Sequence, residues 1–168
     1  ALDTQPPVVS LSSTGVPPFT PLDRVTVSGS VFDAHLTSVT VNGVLATVTG
    51  GTFTAQNVPL AEGSNQLVAT ARDAGGLQAT SGALSVTRDS VVPVIVLDAL
   101  AQSLTNQRQL TVNGTITEAN LTAITVNGVT ATVTGNRFTA TVPLTEGANA
   151  VRAHAEDLAG NVADSNTL

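Results

Sequence analysis

Two stretches of the chain are nearly the same sequence, VTVNGVLATVTGGTFTA at residues 39–55 and ITVNGVTATVTGNRFTA at residues 124–140. Downstream, VPLAEGSNQLVATARDAGG (58–76) recurs as VPLTEGANAVRAHAEDLAG (142–160). The distance between the copies is 85 residues in the first block and 84 in the second, so one copy has a residue that the other lacks. Self-similarity at a fixed distance is typical of a repeated structural unit. The 168-residue chain therefore consists of two copies of one domain of about 84 residues.

The apolar residues of each copy recur with a period of two, which is typical of β-strands that have one buried face. In the first copy Val25 and Val27 alternate with Thr26 and Ser28. The Asn-Gly pairs at 42–43 and 127–128 separate alternating runs, as in hairpin turns whose two central residues need positive φ. No stretch of helical length has a 3.6-residue period.

The turn signals divide each copy into about seven short strands. In the first copy they are expected near residues 8–12, 24–32, 36–41, 44–49, 53–58, 65–72 and 78–86. Seven short strands with regularly spaced turns favour an immunoglobulin-like sandwich. The sequence therefore predicts an all-β chain of two tandem immunoglobulin-like β-sandwiches, each with a thin core of Val, Leu, Ala and Phe.

The opening segments DTQPPVVSL (3–11) and DSVVPVIVL (89–97) also align, and they set the boundary between the copies. The first immunoglobulin-like domain is assigned to residues 1–87 and the second to residues 88–168. These short segments contain Pro, which limits bending of a linker.

The second copy is expected to have an incomplete last strand, because Leu168 aligns with Leu84 and residues 85–88 have no counterpart. Joining the two termini gives SNTLALDTQPPVV, in which Thr167-Leu168-Ala1-Leu2 would supply the missing strand end. We hypothesise that the next unit of a tandem array completes the strand, through the peptide chain or by strand donation between subunits. The alternative is a chain that was cut a few residues short.

The composition excludes several kinds of chemistry. The chain has no Cys, hence no disulfide and no zinc or iron–sulfur site of the usual kind, and no Lys, hence no Schiff-base catalyst or lysine-derived isopeptide cross-link. Its net charge is −6, and its only aromatic residues are four Phe, so nucleic acid is not an expected partner. No apolar run approaches the roughly 20 residues that span a bilayer, so membrane insertion is not expected.

The string VNG-x-x-ATVTG-x-x-FTA, followed by VPL-x-EG-x-N-x-x-x-A-x-A-x-D-x-A-G, resembles bacterial immunoglobulin-like repeats, as does the opening D-x-x-x-P. The resemblance covers the whole chain twice, and copy one departs from it at Gly75-Gly76. It implies modules that occur in tandem in large bacterial surface proteins, and as accessory domains of secreted glycoside hydrolases.

Four acidic positions recur in both copies and are candidates for an interdomain calcium site. On an immunoglobulin-like sandwich, three of them would share one end of a domain and would face the fourth across the junction. One set is Asp89, Glu118 and Asp157 with Glu62, and the equivalent set in a longer array is Asp3, Asp33 and Asp73 with Glu146. Such oxygen clusters suit Ca²⁺, which would stiffen the joint. The alternative is that Asp-x-Ala-Gly and Glu-Gly are only turn formers.

Neither histidine recurs, since His35 aligns with Asn120 and His154 with Thr70. His35 is expected in a loop and His154 on an outward strand face. No nucleophile-elbow motif Gly-x-Ser-x-Gly is found, so the chain is not expected to be an enzyme or to require a cofactor.

These observations favour a structural function: a stalk or filament segment of an extracellular, cell-surface bacterial protein, whose partners are adjacent immunoglobulin-like domains stacked end to end. The alternative is a ligand- or carbohydrate-binding accessory module of a secreted enzyme or adhesin. Because the two copies are nearly interchangeable, the spacer function is favoured.

Overall fold

The computed structural model describes residues 3–168, and these residues form strands, turns and loops with no helix. The all-β prediction is therefore confirmed. The chain divides into two compact units, residues 1–89 and 90–168. The predicted strand end includes Ala1 and Leu2, which lie outside the described residues.

The first unit is built from eleven strand segments in three sheets. The segments are β1 (Val8–Leu11), β2 (Phe19–Thr20), β3 (Arg24–Phe32), β4 (Leu36–Val41), β5 (Val44–Leu45), β6 (Thr47–Thr49), β7 (Thr52–Pro59), β8 (Gly63–Leu67), β9 (Ala69–Asp73), β10 (Gln78–Thr80) and β11 (Leu84–Arg88). The two four-stranded sheets have the orders β1-β3-β7-β6 and β10-β9-β4-β5, and the third sheet has the order β2-β11-β8.

The predicted strands are present, but three of them are each divided into two segments because the chain passes from one sheet to another. At Ala46, for example, the chain changes sheet: β5, before it, pairs with β4, and β6, after it, pairs with β7 of the opposite sheet. The same change of sheet separates β8 from β9 at Val68 and β10 from β11 at residues 81–83. The alternating pattern continues through Ala46 and Val68, so it does not reveal the change of partner at those two points.

A one-residue bulge in β7 explains the different spacing of the two copies. Val25 pairs with Val58 and Val27 with Ala55, so one residue of β3 faces two of β7. One of those two, Asn57, has a φ of 58°, which places it in the left-handed region. The corresponding strands of the second unit pair without interruption. The extra residue of copy one is therefore a β-bulge.

The second unit contains eight segments in two four-stranded sheets. They are β12 (Val94–Leu97), β13 (Gln109–Thr117), β14 (Leu121–Val126), β15 (Val129–Thr130), β16 (Thr132–Thr134), β17 (Arg137–Pro143), β18 (Ala153–Asp157) and β19 (Val162–Asp164). The sheet orders are β12-β13-β17-β16 and β15-β14-β18-β19. Leu168 and Val151 exchange two backbone hydrogen bonds of 2.9 and 3.0 Å. Completion of this strand by a further unit stays a prediction.

Each unit has its own aliphatic core around one buried phenylalanine. Phe53 and Leu67 are fully buried in the first unit, and Phe138 and Val126 in the second. The remaining buried apolar residues are mainly Val and Ala, as predicted. Together with the paired sheets, these cores confirm two tandem immunoglobulin-like sandwiches.

The Asn-Gly turns adopt the predicted conformation, since φ is 45° and 85° at Asn42 and Gly43 and 46° and 80° at the equivalent pair of the second unit. Asn42 also has a tertiary function that the turn motif does not reveal. Its Nδ2 donates to the carbonyl of Gln66 at 2.9 Å, and its Oδ1 accepts from the amide of Val68 at 2.9 Å. The side chain therefore fastens this hairpin to the point at which the chain changes sheet.

Candidate metal site

The first unit brings together three of the predicted acidic residues. Asp3 lies in the opening segment, Asp33 follows β3 directly, and Asp73 ends β9. Each offers a carboxylate oxygen, and these oxygens lie within 4.8 Å of one another. Asp3 and Asp33 are half-buried, whereas Asp73 is only 2% exposed. We call these three residues the first carboxylate group.

Two of these side chains are fixed by local hydrogen bonds and by His35. The amide of Gln5 donates to Asp3 Oδ1 at 3.1 Å, and the imidazole Nδ1 of His35 lies 2.8 Å from Asp3 Oδ2. The amide of Gln5, followed by the imidazole of His35, lowers the pKa of the Asp3 carboxyl from its usual value. Asp33 Oδ1 accepts from the backbone amide of His35 at 2.7 Å. His35 lies in the predicted loop, and its contact with Asp3, 32 residues away, had no sequence signal.

Asp73 anchors the hairpin turn between β9 and β10. Its Oδ1 accepts from the amide of Leu77 at 2.8 Å, and its own amide donates to the Leu77 carbonyl at 3.1 Å. Its Oδ2 is buried and has no hydrogen-bond partner in the part of the chain that the structure describes. A Cβ on Gly75 would lie 3.5 Å from the Cβ of Asp3 and 3.3 Å from Asp73 Oδ1. This turn therefore packs closely against the opening segment.

The repeat counterparts Asp89, Glu118 and Asp157 lie equally close together, with carboxylate oxygens within 4.8 Å of one another, and we call them the second carboxylate group. Here the turn aspartate has a full set of donors. Asp157 Oδ1 accepts from the amides of Ala159 and Asn161, both at 2.8 Å. Asp157 Oδ2 accepts from the side-chain Nδ2 of Asn161 at 2.7 Å.

Glu62 and Glu146, which occupy the fourth recurring acidic position, lie in a differently organised loop. They belong to neither carboxylate group of the described residues. Glu62 forms an ion pair with Arg88 at 3.6 Å, and Glu146 is exposed. In the first unit the loop is closed by Asn65, whose Nδ2 donates to the carbonyls of Ala61 and Gly63, both at 2.8 Å. The shared Glu-Gly-x-Asn motif thus forms a turn, and binding of calcium by the glutamates stays a prediction.

The second histidine also pairs with a carboxylate. His154 lies in β18 on the exposed face, as predicted, and its Nδ1 is 2.8 Å from Asp164 Oδ1. Arg152 approaches the other oxygen of Asp164 at 3.7 Å. The group is a surface charge cluster that joins β18 to its neighbour β19.

The chain has two sandwich units with aliphatic cores, and its recurring polar residues form turns. These features define a tandem immunoglobulin-like module. Modules of this class are typically non-catalytic. Among residues 3–168, no helix is long and apolar enough to cross a membrane. Residues 17–89 and 94–167 each match the family described as glucodextranase, domain B. The chain belongs to this family and contains two of its domains in succession, which confirms the resemblance to bacterial immunoglobulin-like repeats.

Three comparisons define the similarity further. Bacillopeptidase F of Bacillus subtilis (strain 168) is 31% identical over 172 residues, which cover 99% of this chain but 12% of that protein. The fibronectin(III)-like modules of Clostridium thermocellum CbhA align with a TM-score of 0.53 and 18% identity, over 96% of this chain and 90% of theirs. The N-terminal eight Ig domains of Down Syndrome Cell Adhesion Molecule give a TM-score of 0.55 at 16% identity, over 96% and 27% of the respective chains. At such identities these two structures show only that their fold is similar to that of this chain.

Proposed function

We propose that the chain is a structural spacer, a stalk or filament segment of an extracellular bacterial protein, whose function is to resist extension rather than to catalyse a reaction. The observation that carries this proposal is the pairing of the first unit's last strand with a strand near its start. β11 runs parallel to β2, with Thr87 opposite Phe19 and Arg88 opposite Thr20. The amide of Thr87 donates to the carbonyl of Pro18 at 2.8 Å, and that of Asp89 to Thr20 at 2.9 Å.

This pairing gives the first unit a geometry that resists force applied at its ends. When the start and end of a unit are pulled apart, two parallel strands near those ends slide along one another. The inter-strand hydrogen bonds then lie across the pulling direction and must break together. A hairpin opened from its end would instead lose its hydrogen bonds one at a time. Forced extension is limited by the unfolding rate, so bonds that break together raise the required force.

The shared residues of the two copies also support a spacer function. The Asn-Gly hairpins and the Glu-Gly-x-Asn loops recur, and both serve the fold. The competing function, a carbohydrate- or ligand-binding module, would use exposed aromatic side chains. The chain has no Trp or Tyr, Phe53 and Phe138 are buried, and Phe32 is the one largely exposed aromatic side chain among residues 3–168.

The comparisons support a place within a larger protein. The family is named after one domain of a glucodextranase, and the chain spans 12% of the length of Bacillopeptidase F. Two successive copies of one domain make further immunoglobulin-like modules the expected neighbours in such a series. An extracellular location and end-to-end stacking belong to the same proposal.

Single-molecule stretching of the chain between two handles tests the proposed function. Thr87→Pro removes the amide that donates to Pro18, whereas Thr87→Val keeps both the amide and a β-branched side chain. We expect T87P to lower the unfolding force of the first unit and T87V to leave it unchanged. Equal unfolding forces for T87P and the unsubstituted chain would refute the proposed mechanical function. Saturable shifts of loop amides on titration with oligosaccharides would favour the binding module.

A further inference from the structure

The first carboxylate group contains a buried oxygen without a hydrogen-bond partner, although His35 contacts Asp3. Asp73 is 2% exposed, and its Oδ2 has no donor among the described residues. Asp3 and Asp33 place two further carboxylates within 4.8 Å. Ionised carboxylates at this separation repel one another, and a buried polar atom without a partner is costly. A bound cation would remove both costs.

In the second unit a side-chain amide donates to the equivalent buried carboxylate oxygen. There Asn161 Nδ2 donates to Asp157 Oδ2 at 2.7 Å, which satisfies the oxygen that is orphaned in the first unit. Leu77 occupies the place of Asn161 in the first copy and cannot donate from its side chain. Two copies of one turn therefore differ in whether the buried oxygen has a donor within the chain.

We propose that Asp3, Asp33 and Asp73 bind one Ca²⁺ ion in the first unit. Carboxylate oxygens are ligands for hard cations, and Ca²⁺ accepts irregular sets of six to eight oxygens that water can complete. Mg²⁺ demands near-ideal octahedral geometry and gives up its water reluctantly, so three carboxylates fixed by turns suit it less well. The inference does not depend on the proposed mechanical function, because it concerns a site inside one unit.

The ligands come from three separate parts of the first unit, so the ion would cross-link them. Asp3 belongs to the opening segment, Asp33 to the turn after β3, and Asp73 to the end of β9. His35 acts as a positioning residue, because its imidazole holds Asp3 and its amide holds Asp33. Binding would fix the opening segment to the end of the sandwich and stabilise the first unit through mass action.

Calorimetric titration and NMR on the full chain, freed of metal with a chelator, provide the test. CaCl₂ is the probe, and MgCl₂ is the comparison. Fluorescence is unsuitable because the chain has no Trp or Tyr. We expect saturable binding of Ca²⁺, with amide shifts centred on Asp33, His35 and Gly75, and at least about tenfold weaker binding of Mg²⁺. At a Ca²⁺ concentration about 100 times Kd, the first unit should melt about 10–20 °C higher than without calcium.

Substitutions at matched positions of the two copies assign the site. Asp73→Asn should reduce Ca²⁺ affinity at the first group by at least about tenfold because it removes one of three charged ligands. Asp157→Asn, its counterpart in the second unit, should leave that affinity unchanged. Leu77→Asn introduces the amide of the second unit and should also reduce the affinity by at least about tenfold, since the amide would satisfy Oδ2. If D73N does not fold, Asp33→Asn provides the same test, because Asp33 is a half-buried turn residue.

Several results would overturn the proposal. These are no saturable binding at millimolar Ca²⁺, unchanged affinity in both D73N and D33N, loss of binding in D157N, or equal affinities for Ca²⁺ and Mg²⁺. Unchanged binding in L77N would show that the orphaned oxygen of Asp73 is not a ligand, and would equally count against the site.

Discussion

Among the glycines of the first unit, Gly29 is the most closely packed, and replacing it with Ala should be strongly destabilising. Gly29 lies in β3, directly opposite Phe53. A Cβ at this position would come within 2.5 Å of Phe53 Cζ, and closer still to the backbone oxygen of Ser10. Real Cβ atoms essentially never approach other atoms below 3.0 Å. The glycine is thus required for space rather than for its backbone conformation.

The size of the effect follows from what would have to move. Phe53 is 1% exposed, so its ring has no free volume, and Ser10 belongs to a paired strand. Overpacking typically costs 1–3 kcal/mol, and a clash with backbone places Gly29→Ala at about 3 kcal/mol or more. The reduced entropy of the unfolded chain returns only about 0.4–1 kcal/mol. The net loss is then at least about 2 kcal/mol. For a unit of this size, the melting temperature should fall by at least about 8–16 °C.

Scanning calorimetry measures this fall, and Gly82→Ala in the same unit is the matched control. A Cβ on Gly82 would meet no atom within 4 Å, and the residue has no left-handed φ, so G82A should be neutral or stabilising by up to about 1 kcal/mol. Gly114, which faces Phe138 in the second unit, should repeat the effect of Gly29. A melting temperature for G29A within about 2 °C of the unsubstituted chain, or equal to that of G82A, would refute the packing argument.

Three further substitutions test local features by denaturant unfolding. Asn65→Ala removes the side chain that closes the Glu-Gly loop and should cost about 1–3 kcal/mol; a cost below about 0.5 kcal/mol would mean that the loop closes without it. Asn57→Val places a β-branched residue in the left-handed region and should cost about 1–2 kcal/mol, whereas Asn57→Gly should not; equal stabilities would contradict the assigned bulge. Arg137→Ala breaks a half-exposed ion pair with Asp98 and should cost less than about 1 kcal/mol, an effect that salt reduces; a larger, salt-independent loss would refute a surface pair.

The strands and hairpins were predictable because their signals are local. Alternation identifies a strand with one buried face, and Asn-Gly identifies a turn of fixed conformation. The division of strands at Ala46 and Val68 was not predictable, since alternation records burial but not which sheet a residue pairs with. The two-residue strand at Phe19–Thr20 was missed because prolines at 17, 18 and 21 interrupt any pattern around it.

The candidate site was predictable in part. Recurrence identified the acidic residues, and the topology of the sandwich placed three of them at one end. The contact of His35 with Asp3 had no local signal. The orphaned oxygen of Asp73 had a weak signal that recurrence alone does not reveal, namely Leu77 where the second copy has Asn161. The difference between Leu77 and Asn161 thus indicates whether the buried aspartate oxygen has a donor, which the shared acidic positions do not.

The force needed to extend the unsubstituted chain shows most directly whether its two folded modules act as a structural spacer. We predict two separate unfolding events, which release about 25–30 nm each for units of 79 and 89 residues. We also predict that the unit with the parallel pair of β2 and β11 unfolds at the higher force. Extension without force peaks, or a lower force for that unit, would rule out the proposed spacer function.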